Sequence, residues 1–336
     1  TFSNQFDLKN LPSNVHVFPV PLWYLPSSLG YKILGNKHLR AVERIIKRER
    51  IHFDIIHAHF LWTAGYVGMK LKERYGVPLV VTGHGYDVYE LPFQDNFLRE
   101  KILEVLKNSD GIITVSKNNK LCIQQLNVKN EVDIIGNGYL GKKFFRKSKA
   151  ECRRKLRLPM DSKILLTIGG LDKVKGQRFL IDAVSLLIKN EVNVLCYIIG
   201  VGGLENSLRR EIKNLGLENN VFLIGSVEHS KIVDWINASD LFVLPSLAES
   251  FGLVQLESLA CGVPVICTKN SGSLELISSE DYGLLCEIGD SADLAQKIEK
   301  GLKKKWEGTK MIEYAKNFTW ESVCEKITNI YKRLLR

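Results

Sequence analysis

The sequence predicts an α/β protein with two domains, each built around a doubly wound parallel sheet. Short apolar, β-rich runs alternate with helix-length amphipathic segments, which is typical of parallel strands joined by helical crossovers. Glycine-containing turns follow several of these runs, where a parallel sheet carries its ligand-binding loops. A chain of 336 residues is long for one domain, so two are expected.

Composition restricts the class of protein further. Hydrophobic residues make up 45% of the chain and charged residues 25%, which is ordinary for a globular protein. No apolar run approaches the roughly 18 residues of a membrane helix, and no secretory signal is recognisable. The seven cysteines are scattered, without a CxxC pair or a His/Cys metal spacing. We therefore expect buried thiols, a cytoplasmic location and no metal site.

Charge is distributed unevenly along the chain. Residues 1–160 hold 26 Lys and Arg against 14 Asp and Glu, a net +12, whereas residues 161–336 hold 21 against 23, a net −2. A basic first half suits nucleic acid, an anionic membrane surface or an acidic acceptor. Because no nucleic-acid motif accompanies the charge, we expect no nucleic-acid partner and keep peripheral membrane contact as a hypothesis.

The chain starts at Thr1 without an opening strand and glycine-rich turn. Residues 1–14 are predicted as loop and residues 15–20 as a short strand. Residues 31–50 carry apolar side chains at helical spacing opposite a strongly basic face. This segment is either a surface helix packed on the sheet or a helix at a membrane surface.

The first set of strands leads to a histidine-rich turn. Strands are predicted at 53–60, 77–82, 109–116 and 132–135, with helices at 62–75 and after the N-cap Ser116. The second strand runs into Gly83-His84-Gly85, so His84 lies at a carboxyl end between glycines that allow a ligand close approach. His59 ends the first strand, and Asp87 either orients an acceptor or braces the loop.

A second set of strands follows a basic segment at 142–157. That segment is predicted to form the interdomain linker and the first helix of the second domain. Its positive charge is either a solvated face or, together with Phe144 and Phe145, a membrane contact. Strands are predicted at 163–168, 194–199, 221–224, 241–244, 263–267 and 284–286, and helices at 177–188, 204–214, 232–238, 253–260 and 291–302. Glycines follow the first two of these strands, where backbone N–H groups can face a phosphate.

Residues 240–283 carry the most information about function. Pro245 ends a strand, a loop carries Glu249, and a helix ending before Gly262 carries Glu257. At about 100° per helical step, eight positions allow both carboxylates to face one crevice. Carboxylates accept hydrogen bonds from sugar and ribose hydroxyls. The alternative is a capping acid followed by a solvated helix acid.

The pair belongs to a longer pattern. Glu249-Ser-Phe-Gly, then Glu257-Ser-Leu-Ala, then Gly262-Val-Pro-Val-Ile, with 271–272 and 275–277 continuing it, resembles the nucleotide-sugar signature of retaining glycosyltransferases of family 4. The resemblance implies the GT-B architecture, two Rossmann-like domains whose parallel sheets face each other across a cleft. It places an acceptor-side domain at 1–147, a nucleotide-sugar domain at 148–318 and a helix crossing back at 319–336. Relative to that family, the chain looks shortened at its N-terminus.

The resemblance also implies roles for individual residues. The candidate catalytic residues are His84 and Glu249, which contact the donor sugar, and Lys175, which contacts the diphosphate. The candidate binding residues are Glu257 for the ribose, Phe251, Gly252 and Leu253 for backbone contacts, and Gly170 and Gly202 in the glycine loops. Gly170 stands where arginine is usual in the family, and Lys173 is a candidate substitute. His59 also matches a family position.

The resulting hypothesis is a metal-independent hexosyltransferase that needs no cofactor. It would use a UDP- or GDP-linked sugar and a hydroxyl acceptor, for which a lipid-linked molecule is one candidate, in envelope polysaccharide synthesis. The expected location is the cytoplasm, with the inner face of the plasma membrane as a peripheral site. Two alternatives stay open: a non-catalytic carbohydrate-, nucleotide- or lipid-binding module, and a nucleotide-sugar epimerase. A nicotinamide dehydrogenase is disfavoured, because no GxGxxG with an acid about 20 residues further on is present.

Overall fold

The computed structural model describes residues 11–23 and 28–336. Its contacts divide the chain into two compact units, one of Thr1–Ile134 with Thr328–Arg336 and one of Ile135–Ile327. We call them the first unit and the second unit. Each has its own parallel sheet and its own apolar core, which confirms the predicted α/β class with two sheets.

The first unit is built on four parallel strands in the order β1-β2-β3-β4. The strands are β1 Ile56–His59, β2 Leu79–Gly83, β3 Gly111–Thr114 and β4 Val132–Ile134. The helices are α1 Ser28–Glu49, α2 Tyr66–Tyr75, α3 Tyr86–Tyr89, α4 Leu91–Gln94, α5 Asn96–Asn108 and α6 Lys117–Gln125. Strand β2 is buried along its whole length, as expected of a central strand covered on both faces.

The second unit is built on six parallel strands in the order β10-β9-β8-β5-β6-β7. The strands are β5 Lys163–Ile168, β6 Val194–Ile199, β7 Val221–Gly225, β8 Leu241–Leu244, β9 Val265–Thr268 and β10 Gly283–Cys286. The helices are α7 Lys149–Leu156, α8 Gln177–Lys189, α9 Glu205–Asn214, α10 Ile232–Ala238, α11 Leu253–Ala260, α12 Ser271–Leu276, α13 Ser291–Lys303 and α14 Gly308–Ala315. The last helix, α15 Trp320–Leu334, begins in this unit and ends in the first.

The strand order of the second unit contains a topological switch point. From β5 the chain moves outward through β6 to β7, and it then returns to place β8 on the other side of β5. The loops after β5 and β8 therefore leave the sheet in neighbouring positions with their helices on opposite faces. Parallel sheets bind ligands outside the carboxyl ends of strands at such a point.

Several predictions about elements were wrong. Residues 15–20 form no strand, and no neighbouring strand in the described part of the chain offers them hydrogen bonds; the loop predicted at 1–10 lies outside the described residues. The single helix predicted at 62–75 is interrupted near its start, because Trp62 has extended backbone angles (φ −126°, ψ 128°) in the turn Leu61–Gly65 that precedes α2. Helices α5, α12 and α14 were not predicted. Within residues 11–23 and 28–336, no helix combines the length and the apolar character needed to cross a membrane.

The basic segment at 142–157 is not simply a solvated face. Lys147 and Lys155 both pair with Asp234, whose side chain is 4% exposed, and Arg153 is itself buried with its guanidinium 2.8 Å from Asp240. The ring of Phe144 is 2% exposed, so it is unable to contact a membrane. The positive charge here serves largely to hold α7 against α10 and the start of β8.

Candidate functional site

Two loops meet at the switch point of the second sheet. The loop 169–176 follows β5 and the loop 245–252 follows β8. The Lys175 ammonium lies 2.6 Å from Oε1 of Glu249, and the Leu247 N–H donates to the Val174 carbonyl at 2.7 Å. The predicted diphosphate-loop lysine and the first glutamate of the signature are therefore direct partners.

Glu249 is held from several sides. Its Oε1 also accepts a hydrogen bond from the Ser246 hydroxyl at 2.9 Å. Its backbone carbonyl accepts from the Ser271 hydroxyl and from the Gly272 N–H, both at 2.8 Å. A Cβ at position 272 would lie 2.9 Å from the Glu249 side chain, so glycine is needed for this approach. These contacts explain why 271–272 continue the sequence pattern: they fix the loop that presents the carboxylate.

The predicted binding residues at the start of α11 have different tasks. Phe251 is 2% exposed and its ring packs against Gly136 and Phe318, so its side chain anchors the loop. Gly252 has φ +80°, which glycine adopts without steric cost. Leu253 then begins α11 without a side-chain cap. The Gln255 N–H donates to the Gly252 carbonyl at 2.9 Å, and the two N–H groups before it precede the first i→i−4 bond of the helix, which makes them a suitable site for an anion.

The glycine loops pack against each other. Gly200 has φ +148°, and a Cβ there would lie 1.9 Å from the Gly169 carbonyl oxygen. A Cβ at Gly202 would lie 2.4 Å from the Leu171 carbonyl oxygen. Gly170 lacks the family's arginine, and its carbonyl instead accepts from the buried Gln177 amide at 2.7 Å. The close approach of the Leu171 backbone is therefore enough to require glycine at position 202. Gln177 holds the loop after β5 in place, and the sequence interpretation missed it.

Glu257 lies on α11 with only 6% of its side chain exposed. Burial raises the pKa of its carboxyl group to about 7, against the opposing effect of the Lys143 ammonium. The Nε2 atom of His229 lies 3.5 Å from its Oε1, and Nδ1 of that histidine bonds to the Lys143 ammonium at 2.5 Å. Neither Lys143 nor His229 was singled out from the sequence. The helical-phase argument relating the two glutamates does not apply, because α11 begins only at Leu253 and Glu249 precedes it.

In the first unit, His84 belongs to a stack of histidine rings at the carboxyl ends of β1 and β2. Its Nε2 lies 2.9 Å from Nδ1 of His59, and the two rings are stacked with centroids 5.1 Å apart. Burial lowers the pKa of both imidazoles, and for His84 the neighbouring His59 lowers it further. The ring of Phe60 covers His84 at 4.8 Å between centroids. His84, the residue predicted to contact the donor sugar, is therefore a neutral imidazole held beside His59.

Asp87 braces the turn that carries His84. It is 2% exposed, and its carboxylate accepts hydrogen bonds from the backbone N–H groups of Leu61, His84 and Gly85. Of the two roles left open for it, these contacts supply the bracing one.

His57 extends the stack and is the most perturbed histidine in it. Burial, then the neighbouring His59 and His84, lower its pKa to about 4. Its Nε2 lies 2.7 Å from the Thr82 hydroxyl, and its Nδ1 bonds to the phenol of Tyr331 on α15. The sequence gave no sign of the contact with Tyr331, which is 274 residues away.

Comparison with known families agrees with this geometry. Residues 148–318 match the family model described as glycosyl transferases group 1, and residues 2–139 match that of glycosyltransferase family 4. The first of these alone spans half of the chain. The chain therefore belongs to the group 1 glycosyltransferases, with the GT-B fold, and it is a transferase enzyme.

Individual relatives span most of the chain. A D-inositol 3-phosphate glycosyltransferase of Thermobispora bispora is 30% identical over 306 residues, covering 84% of this chain and 71% of the relative. The sucrose-phosphate synthase of Thermosynechococcus elongatus has the same fold, with a TM-score of 0.82 at 24% identity over 97% of this chain and 86% of that one. The Anabaena protein HepE, solved in complex with UDP, has a TM-score of 0.76 at 23% identity over 91% of this chain and 84% of that one.

Metal-ligating side chains do not cluster within the described residues: no group of three or more His, Cys, Asp or Glu could hold an ion. All seven cysteines lie in the described ranges and are free thiols. Five of them are buried, among them Cys196, Cys261 and Cys267, in agreement with the expectation of buried thiols.

Proposed function

We propose that this glycosyltransferase moves a hexosyl group from a nucleotide diphosphate sugar to a hydroxyl acceptor, with retention of the anomeric configuration. One observation carries the proposal more than any other. The Lys175–Glu249 pair joins the two loops at the switch point of a parallel sheet, so a cation and a hydroxyl-binding carboxylate stand side by side where such sheets bind ligands.

In this proposal Lys175 and the start of α11 stabilise the departing diphosphate. The lysine supplies a full positive charge, and the unpaired N–H groups of the helix supply a partial one. Groups fixed before the reaction stabilise developing charge without reorganising during it. Glu249, oriented by Ser246 and by the contacts of its backbone carbonyl, accepts a hydrogen bond from a sugar hydroxyl.

Glu257 would hold the ribose hydroxyls of the nucleotide. Its carboxyl group is buried on α11 beside the loop that follows β7, and an ionised carboxylate can accept a hydrogen bond at each oxygen. Support for a nucleotide in this fold comes from HepE, which was solved with UDP. The proposed donor is accordingly a UDP- or GDP-linked sugar.

His84 would contact the donor sugar. Its lowered pKa leaves the imidazole neutral near pH 7, so one ring nitrogen donates and the other accepts. The acceptor hydroxyl would attack the same face from which the diphosphate leaves, and a departing phosphate oxygen would take its proton. In this step one glycosidic bond forms, the sugar–phosphate bond breaks, and the proton moves from the acceptor to the leaving group.

The acceptor and the cellular setting are the least constrained parts of the proposal. We propose a role in envelope polysaccharide synthesis with a lipid-linked acceptor and peripheral contact with an anionic membrane. The support is the basic face of α1, whose last turn ends in Lys47 and Arg48, and the net +12 of residues 1–160.

A donor panel tests the proposal. The protein is incubated with UDP- and GDP-sugars, with and without hydroxyl acceptors, and released nucleotide and sugar products are measured. We expect nucleotide release from one donor class and product with the donor's anomeric configuration. Nucleotide binding without release would indicate a binding module, and a changed sugar configuration without acceptor would indicate an epimerase.

A further inference from the structure

Three residues from distant parts of the second unit form a continuous polar chain. Lys143 precedes α7, His229 lies in the loop between β7 and α10, and Glu257 lies on α11. The Lys143 ammonium bonds to Nδ1 of the imidazole at 2.5 Å, and Nε2 of the same ring faces Oε1 of Glu257 at 3.5 Å. No sequence motif assigns a role to the first two of these residues.

The chemistry of the lysine decides where the imidazole carries its proton. An ammonium group has donors and no acceptor, so Nδ1 must be the acceptor in its hydrogen bond. A neutral imidazole that accepts at Nδ1 carries its proton on Nε2. Nε2 is the ring nitrogen that lies 3.5 Å from Oε1 of Glu257. Burial and the nearby lysine also lower the pKa of His229, which keeps the ring neutral.

The imidazole is held in place as well as polarised. Its ring packs edge-to-face against Phe144 with centroids 5.4 Å apart, and Phe144 is 2% exposed. The other side of His229 is open, since 58% of its side chain is exposed. A buried wall therefore fixes the ring plane while its Nε2 edge faces Glu257.

Few other charged or titratable groups face this carboxyl. Among the residues that the structure describes, the charge of Lys143 lowers the pKa of Glu257, and the Cys261 thiol lies four residues further on, directly after α11. On α14, which packs against α11, the buried residues are the apolar Met311 and Ala315. The charged residues of α14 pair elsewhere, Lys310 with Glu307 and Glu313 with Lys316. Glu228, beside the histidine, has Lys231 as its ion-pair partner.

We propose that Lys143 and His229 are positioning residues for the nucleotide: Lys143 sets the tautomer of His229, and His229 donates its Nε2–H to Glu257, which holds that carboxylate ionised and aimed at the ribose. The assignment of the ribose to Glu257 rests on the proposed function. The relay itself does not, because it is a property of the unliganded protein.

The relay makes ribose binding depend on protonation. Only the ionised carboxylate accepts hydrogen bonds from both ribose hydroxyls, and burial opposes that form. A hydrogen bond from the Nε2–H of His229 stabilises the ionised carboxylate and so offsets the effect of burial. We expect the 3.5 Å distance between Nε2 and Oε1 of Glu257 to shorten when a ligand excludes water. Nucleotide binding should then release a proton at neutral pH and weaken as pH falls through 7.

The first experiment uses the unliganded protein. Carbon-13 NMR follows the side-chain carboxyls of labelled glutamate through a pH titration, with Glu257 assigned by its absence in Glu257→Gln. We expect a midpoint near 7 in the wild type, moved upward by about 0.5–1 unit in Lys143→Met and in His229→Phe. His229→Gln, which keeps an N–H donor near the position of Nε2, should move it less. Nitrogen-15 shifts of the imidazole should show the Nε2–H tautomer.

Lys142→Met is the matched control, because Lys142 is the adjacent lysine and is exposed, whereas it is Lys143 that bonds to His229. It removes the same net charge and should leave the Glu257 midpoint unchanged. An unmoved midpoint in Lys143→Met, or equal shifts in the two lysine variants, would overturn the relay.

The second experiment measures UDP affinity by calorimetry between pH 6 and pH 9. We expect Lys143→Met and His229→Phe to bind about 3–10-fold more weakly at pH 6.5 and to approach the wild type at pH 9. A merely structural role would lower affinity equally at every pH and would contradict the relay. Failure of UDP and GDP to bind the wild type at any pH would instead reject the proposed function, while the NMR titration still decides the relay.

Discussion

At the scale of single residues, the site of the second unit depends on charges that are partly buried and held by neighbours. Lys175 and Glu249 are 30% and 12% exposed as side chains, so water screens their interaction less than on an open surface. The pair is not needed to hold the loops together, because the backbone hydrogen bond between Leu247 and Val174 also joins them. The diphosphate contact proposed for Lys175 would therefore leave the two loops joined.

We expect Lys175→Met to lower turnover by about 10²–10³-fold, the usual cost of removing one preorganised group that stabilises developing negative charge. Lys175→Arg should retain more activity because it keeps the charge. Steady-state release of nucleotide from the donor measures both. Lys189→Met, at the C-terminal end of α8, is the control and should behave as the wild type. Equal losses in the two methionine variants would refute the proposed diphosphate contact of Lys175.

At Glu257 the protonation state that favours folding differs from the one that the proposed ribose contact requires. Its pKa in the folded protein is about 7, above the ordinary 4.5, so the folded state holds more protons than the unfolded state between these values. This carboxyl therefore stabilises the fold below pH 4.5 and loses that contribution as pH rises through 7.

Glu257→Gln should consequently stabilise the second unit at pH 8, by about 1–3 kcal/mol, and change little at pH 4.5. The same variant should lose nucleotide binding. Denaturant unfolding at the two pH values gives the difference. Glu218→Gln, an exposed glutamate, should show no such pH dependence, and a Glu257→Gln protein equally stable at both pH values would contradict the sign.

At the scale of elements, the two glycine loops after β5 and β6 form one packed structure. The Leu171 N–H donates to the Val201 carbonyl at 3.0 Å, and the Leu204 N–H donates to the Leu171 carbonyl at 3.1 Å. With Gly200 against Gly169, no side chain separates the two backbones. The shape of the proposed diphosphate loop is therefore set partly by the neighbouring strand's loop.

Gly200→Ala tests this coupling. The new Cβ would lie 1.9 Å from the Gly169 carbonyl oxygen, at φ +148°, so we expect a loss of about 2–4 kcal/mol in unfolding free energy. Nucleotide affinity should fall too, because the loop after β5 must shift. Gly203→Ala is the control, since a Cβ there meets nothing within 4 Å. Equal stability of the two variants, measured by denaturant unfolding, would argue against the coupling.

At the scale of the whole molecule, the C-terminal segment belongs to the core of the first unit. Residues from Thr328 onward group with that unit although β4 ends at Ile134. Ile330 is 6% exposed, and a Cβ on Gly111 would lie 3.3 Å from its side chain. Tyr331 bonds to His57 in the histidine stack. The end of α15 thus packs against a sheet whose strands lie far away in sequence.

Ile330→Ala should destabilise the first unit by about 2–4 kcal/mol, because it removes buried methyl groups and leaves a cavity against β3. Thermal and denaturant unfolding measure the loss. Asn329→Ala changes the adjacent exposed position and should be close to neutral. An Ile330→Ala protein with wild-type stability would mean that the tail does not support this core.

Elements that depend on local signals could be predicted from the sequence. The bounds of β5, β6, β8, α10 and α11 agree with the prediction residue for residue, because their apolar runs and their caps or breakers are adjacent in the chain. The Ser116 N-cap likewise accepts from the Asn119 N–H, as predicted. The strand at 15–20 failed for the opposite reason: an extended apolar segment becomes a strand only when another strand pairs with it.

By itself, the sequence determined the α/β class, the order of most strands and helices, the family resemblance and the candidate residues Lys175, Glu249 and Glu257. Only the tertiary structure decided which of these touch, and that Lys143 reaches a histidine 86 residues away beside Glu257. The physical reason is the range of the interactions. Periodicity, caps and turns act over a few residues, whereas burial, tautomer and charge pairing depend on side chains that only folding brings together.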